Sequence, residues 1–396
     1  MPGPGAYWFG KEETDAVMEV IQSGYLFRYG DESNPRFLHK VSSLEKEFAR
    51  YCKAEHALAT SSGTASLLVS LAALGLQPGD EIIVPAYTFV ASYSSVIFAG
   101  LVPVLAEIDE SLALDPEDIE KRITPGTKAI MPVHMLGNPC DMDRIMSVAR
   151  KHNLFVIEDC CQAAGASFKG HKVGTIGNIG AFSLNIFKTI NSGDGGLVVT
   201  NDRDLYETAF AVHDQGHKPM RFGVEVGSRS ILGLNFRMNE LTAAVGLAQL
   251  NKIDRIVSTL RDKREKFKNL VEGAKGFHFR KLNDPEGDCA TLCSVIFDTR
   301  EKAAAVAKAL GSRTVNQSGW HVYANMEHVL NHLKKLGLPH SLGSYPVTDD
   351  ILSRTINISI GVVDAGLGAG WGININSSDS EIEKAAEQFL QVLSRT

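Results

Sequence analysis

A single lysine, Lys188, has surroundings that suit nucleophilic chemistry. It follows the short apolar segment 181–184, which carries Ser183, and it precedes the turn Gly193-Asp194-Gly195-Gly196, after which a second apolar run begins at Leu197. Burial at the mouth of a sheet lowers the pKa of a lysine and makes its amine nucleophilic. Such a lysine is a candidate for Schiff-base formation with pyridoxal phosphate (PLP). A lone lysine in a hairpin is more often a surface residue, so this prediction depends on three companion features upstream.

The first companion feature is a carboxylate at the end of a predicted strand. The continuous apolar run 154–157 is typical of a strand buried in a parallel sheet, and Asp159 follows it. Open α/β sheets bind ligands at the carboxyl ends of their strands. A carboxylate in that place keeps a pyridine nitrogen protonated, which makes the ring an electron sink. Gln162 follows closely and is predicted to donate to the ring oxygen; a helix-capping role for both side chains is compatible with these functions.

The second companion feature is a run of small residues before a predicted helix. Ser62, Gly63 and Thr64 precede the helical run 67–74, and backbone N–H groups at a helix start attract anions. We therefore predict that these residues bind a phosphate, to which Ser183 would add a hydroxyl from the strand before the lysine. Serine and threonine cap helices everywhere, so this segment is informative only together with the others.

Aromatic residues after the strand-like run 82–85 are the third companion feature, because one of them is placed to stack on a cofactor ring. Together the segments resemble the DegT/DnrJ/EryC1/StrS sugar aminotransferases, which are PLP enzymes of the type I (aspartate aminotransferase) fold. The resemblance covers residues 24–250 most clearly. Its most specific elements are Phe182–Gly196, Glu158–Ala163 and Gly233–Met238.

The resemblance implies a role for each matching residue. Lys188 would form the Schiff base with PLP, and Asp159 would pair with the pyridine nitrogen. The remaining cofactor-binding residues that it implies are Gln162 at the ring oxygen, Phe89 stacked on the ring, Gly63, Thr64 and Ser183 at the phosphate, and Asn235 at the phosphate of the neighbouring subunit. A branch of the family with histidine in place of the lysine dehydrates sugars, so Lys188 favours transamination.

Substrate contacts are predicted from chemistry rather than from motifs. The carboxylate of an amino donor requires a cation, and Arg28, Arg229 and Arg237 are the candidates. His134, which ends a predicted strand, and His321, in the C-terminal part, are candidate substrate contacts. A lone histidine is more often a hydrogen-bonded structural residue, and transamination needs no histidine base because the released lysine moves the proton.

Composition excludes several other classes of protein. The chain has 396 residues and a net charge of −6, which offers no electrostatic reason to expect nucleic acid or an anionic membrane as a partner. The N-terminus does not read as a secretory signal, and no apolar stretch approaches the length of a membrane span. Six cysteines show no metal-type spacing, so we predict free thiols, no metal site and a cytoplasmic protein.

Strand and helix patterns alternate through the first two-thirds of the chain, which predicts an α/β fold with a mostly parallel central sheet flanked by helices. The predicted strands are 81–85, 102–108, 128–133, 154–158, 180–184 and 195–200, and the predicted helices include 65–74, 89–99, 116–122 and 141–151. We expect a large PLP-binding domain over 1–255 and a smaller α+β domain over 256–396, on which the first 20 or so residues pack. The smaller domain is predicted to contain strands 289–297 and 355–360, helix 301–309, and a last helix that begins with a capping box at Ser378-Asp379-Ser380-Glu381.

These observations predict a PLP-dependent aminotransferase that moves an amino group from L-glutamate to a keto or aldehydo sugar, as a homodimer with shared active sites. Segments 2–10 and 25–30 resemble the branch that aminates 8-oxo-3,8-dideoxy-manno-octulosonate for lipopolysaccharide. The alternatives are an aminotransferase acting on a nucleotide-linked keto sugar, another PLP reaction such as aminobenzoate formation or sugar dehydration, and a non-enzymatic regulator.

Overall fold

The computed structural model describes residues 3–31, 33–219, 231–362 and 364–396. Within these ranges three sheets form. Their strands are β1 (His56–Thr60), β2 (Glu81–Pro85), β3 (Val102–Ala106), β4 (Thr127–Ile130), β5 (Phe155–Asp159), β6 (Ser167–Phe168), β7 (His171–Lys172), β8 (Ile179–Ser183), β9 (Gly196–Thr200), β10 (Phe277–Phe279), β11 (Leu292–Phe297) and β12 (Thr355–Ser359).

Helices cover the faces of the sheets. They are α1 (Pro4–Tyr7), α2 (Lys11–Ser23), α3 (Lys40–Cys52), α4 (Gly63–Ala73), α5 (Val90–Phe98), α6 (Pro116–Arg122), α7 (Met142–His152), α8 (Arg203–His213), α9 (Glu240–Leu250), α10 (Ile253–Leu270), α11 (Arg300–Ala309), α12 (Glu327–Lys335), α13 (Pro346–Ser353) and α14 (Asp379–Arg395). Short 3₁₀ helices occupy Met135–Gly137, Val315–Gln317, Tyr323–Asn325 and Ala365–Leu367.

The seven-stranded sheet has the order β1-β9-β8-β5-β4-β2-β3. Neighbouring strands from β8 through β5, β4 and β2 to β3 pair in parallel, whereas β9 pairs antiparallel with both β8 and β1. Six strands therefore point the same way, and their carboxyl ends meet at one edge. Strands β8 and β9 are buried along their whole length, which explains why their sequences are continuously apolar.

Most predicted elements of the first two-thirds are confirmed. The six predicted strands correspond to β2, β3, β4, β5, β8 and β9, and the four predicted helices correspond to α4 to α7. Strand β1 was not predicted, because its short sequence His56–Thr60 lacks a long apolar run; it is recognisable only through its pairing with β9. The pairing of β8 with β9 also confirms that residues 193–196 belong to a turn between two strands.

The C-terminal part has its own antiparallel sheet, in the order β10-β11-β12. Strands β11 and β12, helix α11 and helix α14 match the predictions, and α14 begins with the predicted capping box, in which the Ser378 side chain accepts from Glu381 N. The expected domain boundary after residue 255 falls inside α10, which packs against α14. At the N-terminus, Trp8 Nε1 donates to Asn376 Oδ1 at 2.9 Å, while α2 packs on α9.

Two further features bear on the class of protein. Large apolar side chains fill the interior between the sheets and the helices, for example Phe48 and Phe182, whose rings meet edge to face at 5.0 Å. In the ranges that the structure describes, every helix is too short or too polar to cross a lipid bilayer.

Candidate active site

A cavity of about 490 Å³ opens at the edge where the parallel strands of the large sheet end. One side of it, here called the sheet wall, consists of the predicted cofactor-binding residues other than Asn235: Ser62, Gly63, Thr64, Phe89, Asp159, Gln162, Ser183 and Lys188. These residues follow β1, β2, β5 and β8 and are far apart in sequence. The structure therefore brings together eight of the nine residues that the sequence analysis assigned to the cofactor.

Lys188 lies in the connection between β8 and β9. Its backbone N–H donates to Asn185 O at 2.9 Å, and the connection ends at Gly193, whose φ of +85° favours glycine. Loss of solvation lowers the pKa of Lys188, although the negative charges of Asp159 and Asp364 and the Cys161 thiol act in the opposite direction. A lowered pKa increases the fraction of neutral amine, which is the form that attacks a carbonyl.

Asp159 ends β5 and is only 4% exposed. Its Oδ1 accepts from Cys161 N at 3.0 Å, and its Oδ2 accepts from Ser92 Oγ at 2.7 Å. Both carboxylate oxygens are therefore held by hydrogen bonds. The site thus offers a fixed carboxylate at a strand end, as predicted from the sequence.

The start of α4, where a phosphate site was predicted, lines one end of the cavity. Ser62 caps the helix by accepting from Ala65 N at 3.1 Å, which leaves the N–H groups of Gly63 and Thr64 in the first turn without partners inside the helix. Gly63 is required by packing, since a Cβ at that position would lie 2.6 Å from the Cβ of Ser183. The Ser183 hydroxyl therefore approaches the helix start closely enough to share one anion with it.

Gln162 is oriented by a backbone group. Its Oε1 accepts from Leu136 N at 3.0 Å, so the amide NH₂ is the group that can donate to a ring oxygen. Leu136 has a φ of +57° and is held in this conformation from the C-terminal part, because Arg280 and Thr291 both donate to its carbonyl. Gln162 was predicted from the sequence, whereas its support by the C-terminal part was not.

These residues fit PLP. The amine with a lowered pKa suits the carbonyl of that cofactor, and the fixed carboxylate suits its pyridine nitrogen. The helix N-terminus with its adjacent hydroxyl suits the phosphate, and the aromatic side chain suits the face of the ring. Phe89 lies beside the amine, with Lys188 Nζ 6.0 Å from its ring centre. Gly63 fits the same interpretation, because only a residue without a Cβ allows the helix start to lie so close to the Ser183 side chain.

The opposite side of the cavity, here called the C-terminal wall, comes from distant loops. It consists mainly of Trp320, His321, Asp364, Gly366 and Leu367. His321 is buried, its Nδ1 lies 2.9 Å from Ser318 Oγ, and burial together with the charge of Lys188 lowers its pKa to about 3, so the ring is neutral. Trp320 is 58% exposed, which is unusual for so large an apolar side chain at a cavity.

The predicted substrate contact His321 is thus brought to the cavity, but Asp364 was missed by the sequence analysis. Asp364 follows the predicted strand 355–360 in a segment without periodicity, and only the folded loop carries it to the site. Its side chain accepts from Gly366 N at 2.7 Å, which fixes the carboxylate at the cavity edge.

Arg28 is not at this cavity, contrary to the prediction. It is 8% exposed and bonded to Glu45 Oε1 at 3.0 Å, with its Nη1 3.0 Å from His213 Nε2. The guanidinium also lies over the rings of Tyr29 and Phe210. These contacts tie Arg28 to α3 and α8, and it does not line the cavity of its own protomer.

His134 also lies elsewhere. It is fully buried, its Nε2 is 3.0 Å from Glu158 Oε2, and its Nδ1 accepts from Cys140 N at 3.0 Å. Glu158 additionally accepts from three backbone N–H groups, those of Gly174, Ile176 and Gly177. Although Cys160 lies close to this pair, the hydrogen bonds use the groups that would ligate a metal, so this cluster is structural.

Arg237 and Asn235 lie on a strand-like segment in the described range that begins at residue 231. Neither residue lines the cavity. Arg237 pairs with Asp214 and stacks on Phe27 at 5.4 Å. Asn235 is exposed, so its predicted contact with a neighbouring subunit stays a prediction. Arg229 falls outside the described residues. Among the described residues that line the cavity, Lys188 is the one lysine or arginine. The three carboxylates are Asp159, Asp194 and Asp364.

Comparison with known proteins defines the class. The DegT/DnrJ/EryC1/StrS aminotransferase family matches residues 9–363, and the chain belongs to that family. GDP-perosamine synthase of Caulobacter vibrioides is 43% identical over 246 residues, which are 61% of this chain and 62% of that protein. The protein EryC1 of Saccharopolyspora erythraea is 33% identical over 87% of this chain and 89% of its own length.

Solved structures agree with the family. An aminotransferase from Psychrobacter cryohalolentis superposes with a TM-score of 0.83 at 27% identity, covering 100% of this chain and 99% of that one. DesV of S. venezuelae, solved with a ketimine intermediate, superposes with a TM-score of 0.81 at 27% identity, covering 97% and 95% of the two chains. The predicted family, the type I fold and PLP as cofactor are confirmed.

Proposed function

We propose that the protein transfers an amino group from an amino-acid donor, L-glutamate in the first instance, to the carbonyl of a sugar. The observation that carries the proposal is the convergence of Lys188, Asp159 and the start of α4 on one cavity. When bound, PLP supplies a carbonyl that exchanges amines and a ring that withdraws electrons from them.

The residues of the sheet wall would have separate roles in cofactor binding and proton transfer. Asp159 would hold the pyridine nitrogen protonated, and the Gln162 amide would donate to the ring oxygen. Lys188 Nζ, once displaced by the amino donor, would take the proton from the donor's α-carbon and return it at the cofactor side, so one group serves as both base and acid. Its lowered pKa suits this role, because the amine must be neutral to accept a proton.

The C-terminal wall supports a sugar as the amino acceptor. Asp364 and, beside the lysine, Asp194 can accept hydrogen bonds from hydroxyl groups, and Trp320 offers an exposed aromatic face to a sugar ring. Two similar proteins are named for nucleotide-linked amino sugars, a GDP-perosamine synthase and a dTDP-3-amino-3,4,6-trideoxy-alpha-D-glucose transaminase. These names favour a nucleotide-linked keto sugar as the acceptor.

The second candidate acceptor is 8-oxo-3,8-dideoxy-manno-octulosonate, in lipopolysaccharide synthesis. The resemblance of segments 2–10 and 25–30 favours it. A second argument would be that Arg28, the single arginine of segment 25–30, binds the carboxylate of this sugar. The burial of Arg28 against Glu45 removes that last argument within one protomer, so the nucleotide-linked sugar is the better-supported acceptor.

Single turnovers of the pyridoxamine phosphate form test the proposal. We expect UDP-, GDP- or dTDP-linked keto sugars to restore the PLP absorption band faster than the octulosonate aldehyde does. Faster recovery of the PLP band with the octulosonate would reverse the order of the two acceptors. Recovery with 2-oxoglutarate alone would exclude a sugar acceptor. Matched reactions of the PLP form with L-glutamate should yield 2-oxoglutarate, which separates transamination from dehydration and from aminobenzoate formation.

We also propose a homodimer with shared sites, in which Asn235 reaches the partner's phosphate site. Exposure of Asn235 and its absence from the cavity of its own protomer support this arrangement. Mixing inactive Lys188→Ala and Asn235→Ala subunits should restore activity in hybrid dimers, because each hybrid has one intact site. Failure of mixed subunits to regain activity, with hybrids demonstrated, would contradict shared sites.

A further inference from the structure

The carboxylate of Asp159 terminates a chain of buried hydroxyl groups that the proposed chemistry does not use. Ser92 Oγ donates to Asp159 Oδ2 at 2.7 Å, and Thr88 Oγ1 lies 2.7 Å from Ser92 Oγ. Thr88 and Ser92 are both fully buried, and Asp159 is 4% exposed. Neither hydroxyl caps α5, which begins without a side-chain cap, so helix capping does not account for this pair of hydroxyls.

The direction of the chain follows from the donors available. An ionised carboxylate only accepts hydrogen bonds, so Ser92 must give its single proton to Asp159. Thr88 must then donate to Ser92, because no second proton remains on Ser92 Oγ. The chain therefore points Thr88 → Ser92 → Asp159, and each bond polarises the next toward the charge.

Both hydroxyls are held in place through the backbone. Thr88 N–H donates to His321 O at 2.9 Å, and Val90 N–H donates to Trp320 O at 2.9 Å. The segment that carries Thr88 and Ser92 is thus bonded to the loop of the C-terminal wall. The orientation of Ser92 depends on contacts that span the cavity.

We propose that Ser92 is a positioning residue that fixes the Asp159 carboxylate against the pyridine nitrogen of PLP, with Thr88 orienting Ser92. A carboxylate bonded at Oδ1 to Cys161 N and at Oδ2 to Ser92 has its plane defined at both oxygens. Removing the second bond leaves the plane free to rotate about the Cβ–Cγ bond, and the charge then meets the ring nitrogen in a poorer direction. The inference rests on the proposed role of Asp159 toward PLP but not on the identity of donor or acceptor.

The test uses the whole protein with PLP and no substrate. In Ser92→Ala, we expect the dissociation constant of PLP to rise about tenfold, the effect of one hydrogen bond to a charged group. The pH at which the visible band of bound PLP changes should shift as well. Ser92→Thr, which keeps the hydroxyl, should behave like the parent. Ser70→Ala is the matched control, because Ser70 is equally buried and its hydroxyl has no hydrogen-bond partner in the described ranges.

A double-mutant cycle separates positioning from a general structural effect. If Ser92 acts through Asp159, Ser92→Ala should change neither readout further in an Asp159→Asn background. An equal loss in both backgrounds, or a Ser92→Ala protein indistinguishable from Ser70→Ala, would overturn the proposal. Should Ser92→Ala fail to fold, Thr88→Val tests the same chain and should shift both readouts in the same direction by a smaller amount; no shift in that variant would also overturn it.

Because neither readout involves an amino donor or a sugar, the outcome is independent of the proposed reaction. A protein that binds PLP with a Ser92-dependent spectrum but does not transaminate would refute the proposed function alone. A protein that transaminates with a spectrum indifferent to Ser92 would refute this inference alone.

Discussion

The two walls of the cavity differ in how they are built. In the sheet wall, each functional residue lies at the end of a buried strand or in the segment that follows it, so the topology of the parallel sheet places these residues together. In the C-terminal wall, Trp320, His321 and Asp364 lie in loops and 3₁₀ turns that only the completed fold brings to the site. The comparison suggests that cofactor chemistry is fixed by the sheet and substrate choice by the loops opposite.

Replacing Lys188 by alanine should have the largest effect, because it removes both the nucleophile and the proton carrier of the sheet wall. We expect turnover to fall about ten-thousandfold or more. The measurement is 2-oxoglutarate release from L-glutamate, with circular dichroism to verify an intact fold. Sustained turnover in Lys188→Ala without an added amine would show that the sheet wall does not carry the chemistry.

Asp159→Asn should have the next largest effect, because it keeps the shape of the side chain and removes its charge. Proton transfer from the donor is expected to slow by about a hundredfold to a thousandfold, a range typical of losing one preorganised electrostatic partner. Stopped-flow absorbance of the donor half-reaction provides the rate. An unchanged rate would show that Asp159 has only a structural role at the end of the strand.

These two residues illustrate what the sequence alone predicted. Asp159 and Lys188 were found because each lies a few residues after a recognisable apolar run, and position in a sheet follows from such runs. Asp364 was not found, because nothing in its neighbourhood repeats with a strand or helix period. The partner of Arg28 was not predicted for a related reason: the sequence shows a cation between aromatic residues but not Glu45, with which it forms an ion pair. Local pattern predicts elements, whereas pairing between distant side chains requires the fold.

Trp320→Ala should separate the walls, because it alters only the C-terminal one. We expect the apparent affinity for the sugar acceptor to weaken about tenfold, the upper range for loss of one aromatic contact, while the PLP spectrum and the glutamate half-reaction stay unchanged. Leu342→Ala, an exposed apolar residue outside the cavity, is the control. A Trp320→Ala protein with a slower glutamate half-reaction would mean that the walls do not act independently.

The smallest expected effect is on stability. The pKa of His321 falls from 6.5 to about 3 on folding, mainly through burial. Between those values the unfolded chain binds more protons than the folded one, so the free energy of unfolding decreases as pH falls. From pH 6.5 to pH 5 this amounts to about 2 kcal/mol for one histidine. Urea unfolding of His321→Gln should show a smaller loss over that interval, and an equal loss would contradict the burial of a neutral ring.

Reduction with borohydride, followed by peptide mass mapping, tests the central claim most directly. If the sheet wall holds PLP through Lys188, the purified protein incubated with PLP and borohydride should carry one reduced pyridoxyl group per chain, on the peptide that contains Lys188. Prior incubation with L-glutamate should abolish the label, because the amine is then displaced. Labelling of another lysine, or none at Lys188, would contradict the account.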